Sequence, residues 1–293
     1  FEYREHGKVK NGLQELSSDA LKHADLVIVT TAHTNVDYNY VSFAGFLWRI
    51  VRINGDGTIR LILEGLTSTT KQDESGLCTS GCAGANSKYN TYYITTNPPN
   101  ETQEALAKSH VDYIDSDIES VLNSFYSSYL ASYASYIADT KFCNDKLWSS
   151  QTGSSWYYSP YVKIASNSTA SLVCSSEGIL VKNYYNDDYK LTNSIGLISA
   201  DEVIYAGGKW NTANNSYYLY NSTLVNTYWW TMSPSMWYQD GTSYAMYVDS
   251  TGYLYNYAVN YTFGVRPVIN LISGTQATGS GTLSDPYVIV PAD

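Results

Sequence analysis

Apolar and polar positions are most sharply patterned before residue 67, where "YVSFAGFLWRIVRI" and "TIRLILEG" flank the turn "NGDG" at Asn54 to Gly57. Asn-Gly and Asp-Gly tolerate the left-handed backbone that a tight hairpin needs, so these runs predict two paired strands that found a sheet. Farther on the period lengthens. In "DIESVLNSFYSSYLASYASYIAD", Ile118, Leu122, Phe125, Tyr129, Tyr133 and Tyr136 recur every three or four residues, the stripe of an amphipathic helix that packs on the sheet. In "LISADEVIYAGG", Ser199 and Glu202 form a capping box and Gly207 or Gly208 supplies the terminating left-handed residue, so a helix of about two turns is expected. "ELSSDALKHADLVIV", with Ser18 as N-cap, reads as a short helical lead-in, and Leu77 to Asn100, rich in Gly, Ser and Asn with Pro98 and Pro99, as a loop. From Tyr217 onward the chain is strands and turns. No Gly/Ser linker separates two apolar regions. The expectation is one α+β domain over residues 40–293 behind an N-terminal extension at 1–39, with a mixed or mostly antiparallel sheet, two main helices and long loops.

One strand departs from the usual pattern. In "YLYNYA", Tyr253, Tyr255 and Tyr257 share one face, while Leu254 and Ala258 lie on the other. The core takes the aliphatic face, so the tyrosines are expected to point outward. Composition sharpens this reading. Of 293 residues, 44% are hydrophobic, enough for a sizeable core, yet only 15% are charged and 30 are tyrosine. Between Tyr228 and Phe263, aromatics interleave with Ser, Asn, Asp, Thr and Gly, the composition of an antibody paratope, in which Tyr and Trp give contact area at small entropic cost. Trp229 and Trp230, followed by "TMSP", are expected to fill the core instead.

The net charge is −10, and beyond residue 193 the basic residues are Lys209 and Arg266, which argues against nucleic acid. No run of eighteen apolar residues appears, so no direct membrane insertion is expected, and any export signal or anchor is expected to have been removed ahead of "FEYREHGKVK". Cys78 and Cys82, in "CTSGC", can close on each other and leave Cys143 with Cys174 as a second pair; three pairings are open, and zinc is the rival reading. Four cysteines, low charge and Asn/Ser/Tyr-rich loops suggest export to an oxidising compartment. His6, His23, His33 and His110 sit in no catalytic motif, and phosphate-binding glycine patterns are missing. Asp187 with Asp188, and Asp240 with Asp249, are the carboxylates that a calcium ion would use, although no EF-hand spacing frames them. No other cofactor is expected.

"LWRIVRINGDGTIRLI", "GLISADEVIYAGG", "YWWTMSPS", "GVRPVINL" and the tail "GSGTLSDPYVIV", in that order from about Tyr40 to the end, resemble a family of exported proteins of gut Firmicutes and Mollicutes. Their domain is of the C-type-lectin-like kind, formylglycine-generating-enzyme type, often behind a pilin-like or lipoprotein N-terminus. Some relatives are variable proteins of diversity-generating retroelements, and the segment at about 236–263 resembles their rewritten region. The resemblance implies display positions at Trp237, Tyr238, Asp240, Tyr244, Tyr247, Asp249, Tyr253, Tyr255, Asn256, Tyr257, Asn260, Tyr261 and Phe263. It also implies a cell-surface adhesion or receptor-binding protein whose partner is a protein or glycan on another cell or phage. Formylglycine-generating enzymes use a late cysteine pair, whereas no cysteine follows Cys174, and the sugar-binding triplets of calcium-dependent lectins are absent, so neither activity carries over. No enzymatic reaction is expected. The alternatives are a carbohydrate-binding module, a pilus or surface-layer subunit, and an enzyme derived from the formylglycine fold.

Overall fold

The computed structural model describes residues 2–5, 8–11, 26–28, 38–66, 87–90, 111–175, 179–180, 191–220, 228–238 and 240–290. They form a mixed α+β fold, mostly strands, with two main sheets.

The larger sheet has nine strands and grows from the predicted hairpin. Phe46–Ile53 pairs antiparallel with Ile59–Leu66, which pairs in turn with Val268–Leu271. At the turn, the Asp56 side chain accepts from the Thr58 backbone N–H at 3.0 Å and Gly57 takes φ +81°. The preceding "YVSFAGFLWRIVRI" is two strands and not one. Ala44 and Gly45 both adopt positive φ, 53° and 81°, and fold Tyr40–Phe43 back onto Phe46–Ile53. The late strand Tyr287–Ile289 pairs parallel with Tyr40–Phe43, so the end of the chain closes on the domain's beginning.

Strands from before residue 40 join this sheet. Leu26–Ile28 is a strand lying between Phe46–Ile53 and Glu2–Glu5, so the end of the expected lead-in helix is corrected to extended structure, held by pairing on both sides. Ser18 lies outside the described residues. Within the expected loop from Leu77 to Asn100, Ser87–Lys88 pairs with Thr262–Phe263 and Tyr89 is fully buried.

The amphipathic stripe begins as expected. Ser116 caps the Asp117–Phe125 helix, its hydroxyl accepting from the Glu119 N–H at 3.1 Å, and Ile118, Leu122 and Phe125 are buried. After Phe125 a π turn, Tyr126–Leu130, and a 3-10 turn, Ala131–Tyr136, replace the single long α-helix that the spacing predicts. Serines in "YSSYLASYASY" compete for backbone hydrogen bonds and weaken the α form. Phe46 is met by both Phe125 and Tyr129, at 5.1 and 5.2 Å between ring centroids, and Phe43 by Tyr133 at 5.3 Å.

The second short helix, Ala200–Tyr205, has the predicted capping box and ends with Gly207 at φ +106°. Its Glu202 does more than cap. One carboxylate oxygen meets Arg60 at 2.7 Å and Arg52 at 3.1 Å, pinning the helix to the large sheet. Burial opposes ionisation, but the two guanidiniums and Ser199 outweigh it and hold the carboxyl below its ordinary range. Burial in turn lowers the Arg60 guanidinium to about 10. A second buried cluster joins Arg266 to Glu64 at 2.8 Å, with Arg266 also donating to the carbonyls of Leu63 and Leu219.

The six-stranded second sheet runs in the order Lys209–Trp210, Tyr253–Ala258, Ser243–Val248, Trp229–Tyr238, Ser155–Tyr158, Trp148–Thr152, and only the first pairing is parallel. Trp229–Tyr238 is its keel: every side chain from Trp229 to Trp237 is buried. Trp230 has no exposure, donates its indole N–H to the Ser87 carbonyl at 2.9 Å, and packs on Phe263 at 4.5 Å. Trp229 and Trp230 thus fill the core as the sequence suggests. Pro234 sits between two register shifts, where the missing N–H breaks no regular ladder. Cys143 and Cys174 form a disulfide; Cys78 and Cys82 lie outside the described residues. Among the described residues no helix is long and apolar enough to cross a membrane.

Candidate ligand-binding site

The strand Tyr253–Ala258 alternates as its sequence predicts. Leu254, Asn256 and Ala258 are buried, while Tyr255 and Tyr257 are 37% and 39% exposed and Tyr253 is half-buried. A tight turn sets this strand. Asp249 accepts from the backbone N–H groups of Thr251 and Tyr253, and Gly252 at φ +77° passes so close to Asn214 that a Cβ would lie 1.9 Å from its carbonyl oxygen. Register then places Tyr255 opposite Tyr247 and Tyr257 opposite Ala245.

Around these rings lies a basin of about 750 Å³. One wall comes from the segment singled out in the sequence: Tyr238 meets Tyr244 edge-on at 5.3 Å, and Tyr257 meets Tyr261 at 4.5 Å. The other wall comes from elsewhere in the chain. Tyr157 stacks on Tyr161 at 4.6 Å, Tyr161 meets Trp210 at 5.5 Å, and Trp210 meets Tyr255 at 5.1 Å, giving a continuous run of rings. Tyr253 donates its phenol to the Asn211 side-chain oxygen at 2.5 Å, tying the two walls together. Asn256 and Met236 line the floor, the Asn256 amide donating to Ser235 at 2.7 Å.

Tyr157, Tyr161, Trp210 and Asn211 were not expected from the sequence. Pairings remote in the chain bring them in: Tyr157 opposite Met236, and Trp210 parallel to Leu254. Only the isolated aromatic pattern of "SSWYYSPYV" and "GGKWN" hinted at them.

The expected display positions divide. Tyr238, Tyr244, Tyr247, Tyr253, Tyr255, Asn256, Tyr257 and Tyr261 line the basin. Trp237 does not. It is fully buried, with Trp156 at 4.8 Å and Trp148 packed beside it, because the keel strand is covered on both faces. Phe263 is likewise a core residue, wedged among Trp230, Tyr247 and Tyr257. Tyr247 and Asn256 reach the basin while being mostly buried, so they form floor and not free surface. Asp240 and Asp249 are turn residues beside the basin, each accepting from the N–H two positions on, and Asn260 is half-buried outside it. Asp187 and Asp188 lie outside the described residues. Among the described residues no group of three potential metal ligands gathers.

Electrostatically the basin is neutral. Nine tyrosines, Trp210, Met236, Ala258 and two asparagines line it, and among these described residues none is an acid or base stronger than phenol. Burial, then neighbouring phenols and carboxylates, raise Tyr161, Tyr244, Tyr247, Tyr253 and Tyr257 above the ordinary 10.0, so these five hydroxyls stay protonated and both donate and accept. The arrangement offers ring faces for contact and phenol and amide groups for hydrogen bonding.

One family model matches the chain, described as Domain of unknown function (DUF6273), over residues 89–273. That span is more than half of the chain and includes the whole basin. No curated protein matches, and no solved structure matches.

Proposed function

The chain belongs to the DUF6273 family, and from that premise we propose that it is a ligand-binding protein displayed outside the cell, whose tyrosine basin holds a partner without transforming it. The observation that carries this reading is the outward projection of Tyr255 and Tyr257 from a strand whose other face is locked into the core. A rigid sheet keeps such aromatic anchors preorganised, so little ordering entropy opposes binding. The Cys143–Cys174 disulfide supports an oxidising, extracellular location. A mostly antiparallel core, long connections, and a last strand returning to the first strand of the domain support a C-type-lectin-like fold of the formylglycine-generating-enzyme type. In that reading the stretch 236–263 is of the kind diversified by retroelements: eight of the thirteen display positions implied by the resemblance face one basin, and the rest lie in the core or its rim.

The test is to label the protein, measure its binding to intact bacterial and epithelial cells, and repeat with Tyr255→Ala, Tyr257→Ala and Tyr261→Ala, each with a thermal melt. Binding should fall about fivefold to a hundredfold per central ring with melting nearly unmoved. Undiminished cell binding by the triple variant would refute the proposal.

A further inference from the structure

Granting that the basin is the binding site, the geometry points to its ligand class: a short neutral oligosaccharide, seated on the wall formed by Tyr157, Tyr161, Trp210 and Tyr255. Three features carry this. The first is shape. A basin of about 750 Å³ is concave and of the size that small ligands fill, whereas a protein partner would need a broader and flatter surface.

The second is charge. Among the described lining residues there is no Lys, Arg, His, Asp or Glu, and the five raised phenols stay neutral through physiological pH. A phosphate, sulfate or sialyl group brought into such a basin would lose water and gain no counter-charge, so anionic ligands are disfavoured.

The third is the pairing of ring faces with neutral hydrogen-bonding groups. Met236 and Ala258 are the aliphatic members of the lining, too few to build the apolar pockets into which peptide anchors such as Leu or Ile insert. What the walls offer is π surface beside phenol hydroxyls and the amide of Asn211. A pyranose presents the complement: one face of C–H groups that lies against an aromatic ring, and a rim of hydroxyls that need both donors and acceptors. Trp210 is fixed for this role, held edge-on by Tyr161 at 5.5 Å and tilted against Tyr255 at 5.1 Å. Asn211, in a left-handed conformation at φ 52°, is held by the Tyr253 phenol through its oxygen, leaving the amide N–H₂ as the available donor at the mouth.

Because Tyr157, Tyr161 and Trp210 lie outside residues 236–263, three of the four rings of this wall would stay constant in a diversified protein, while Tyr255 and the opposite wall would vary. Sugar stacking then rests chiefly on the constant rings, and choice among linkages and substituents on the variable residues.

The experiment applies the full chain to a printed array holding neutral glycans beside their sialylated and sulfated forms, with and without a calcium chelator. Calorimetry on the strongest neutral trisaccharide follows, for the wild type, Tyr255→Ala and Trp210→Ala. The expected result is saturable, chelator-insensitive binding of neutral glycans that weakens about tenfold or more in Tyr255→Ala, whose melting is unchanged. No neutral glycan bound, or acidic forms preferred, overturns the inference. If a displayed peptide library instead yields binders lost in Tyr255→Ala, the ligand class is wrong and the basin stands. If bound glycans are indifferent to both substitutions, the basin reading itself falls.

Discussion

Replacing both members of the disulfide, Cys143→Ser with Cys174→Ser, isolates one cross-link while leaving the volume of the site nearly unchanged. The bond closes a loop of 31 residues that contains the Trp148–Thr152 and Ser155–Tyr158 hairpin and the Tyr157–Tyr161 stack. Chain-entropy reasoning for a loop of that length gives a loss of about 4 kcal/mol, because the unfolded chain regains the freedom that the link denied it. In a domain of this size that lowers the melting midpoint by roughly 10 °C. Urea titration followed by tryptophan fluorescence measures the free-energy loss directly. The hairpin is separately held by pairing of Ser155–Tyr157 with Met236–Tyr238, so at temperatures where the variant stays folded its basin should bind as the wild type does. A loss under about 1 kcal/mol, with the urea slope unchanged, would refute the claim that this link constrains the unfolded state.

Trp230→Ala should cost about 3–5 kcal/mol by opening a cavity beneath Phe263 and orphaning the Ser87 carbonyl, whereas Tyr255→Ala should stay within about 1 kcal/mol of wild type; parallel urea curves separate the two. Gly252→Ala should cost about 2 kcal/mol or more, since the new methyl would meet the Asn214 carbonyl at a strained positive φ, and a thermal melt reads this directly. Glu202 has a depressed pKa in the folded state, so its contribution to stability is complete above its ordinary 4.5 and is lost as pH falls through the lowered value; Glu202→Gln should be less stable at neutral pH and show a shallower decline in denaturant midpoint below pH 4.5.

What the sequence disclosed was what local geometry alone decides. The NGDG turn, the Ser199 capping box and the alternation of Tyr253, Tyr255 and Tyr257 each depend on residues a few positions apart, and each appears as the pattern implies. Trp237, a display position implied only by the resemblance, is interior because Trp148 and Trp156 cover the second face of the keel strand. Tyr157, Tyr161 and Trp210 carry only an isolated aromatic pattern in the sequence, and nothing in it ties them to the basin. They enter through strand pairings spanning many tens of residues, which leave no periodic trace in any one segment. After Phe125 the stripe reaches the sheet through Tyr129 on Phe46 and Tyr133 on Phe43 while both tyrosines keep an exposed edge, and the backbone there forms a π and a 3-10 turn that apolar spacing does not reveal.

The absence of ionised groups from the described lining of the basin bears on how encounters begin. The lining itself adds no long-range pull, so any steering of a charged partner comes from the net charge of −10 and from Asp240 and Asp249 beside the basin, while short-range contact keeps the ligand in place. For a neutral ligand, which feels no such field, capture proceeds equally in dilute and in saline surroundings, and the molecule works as a latch whose hold does not change with the ionic strength around it.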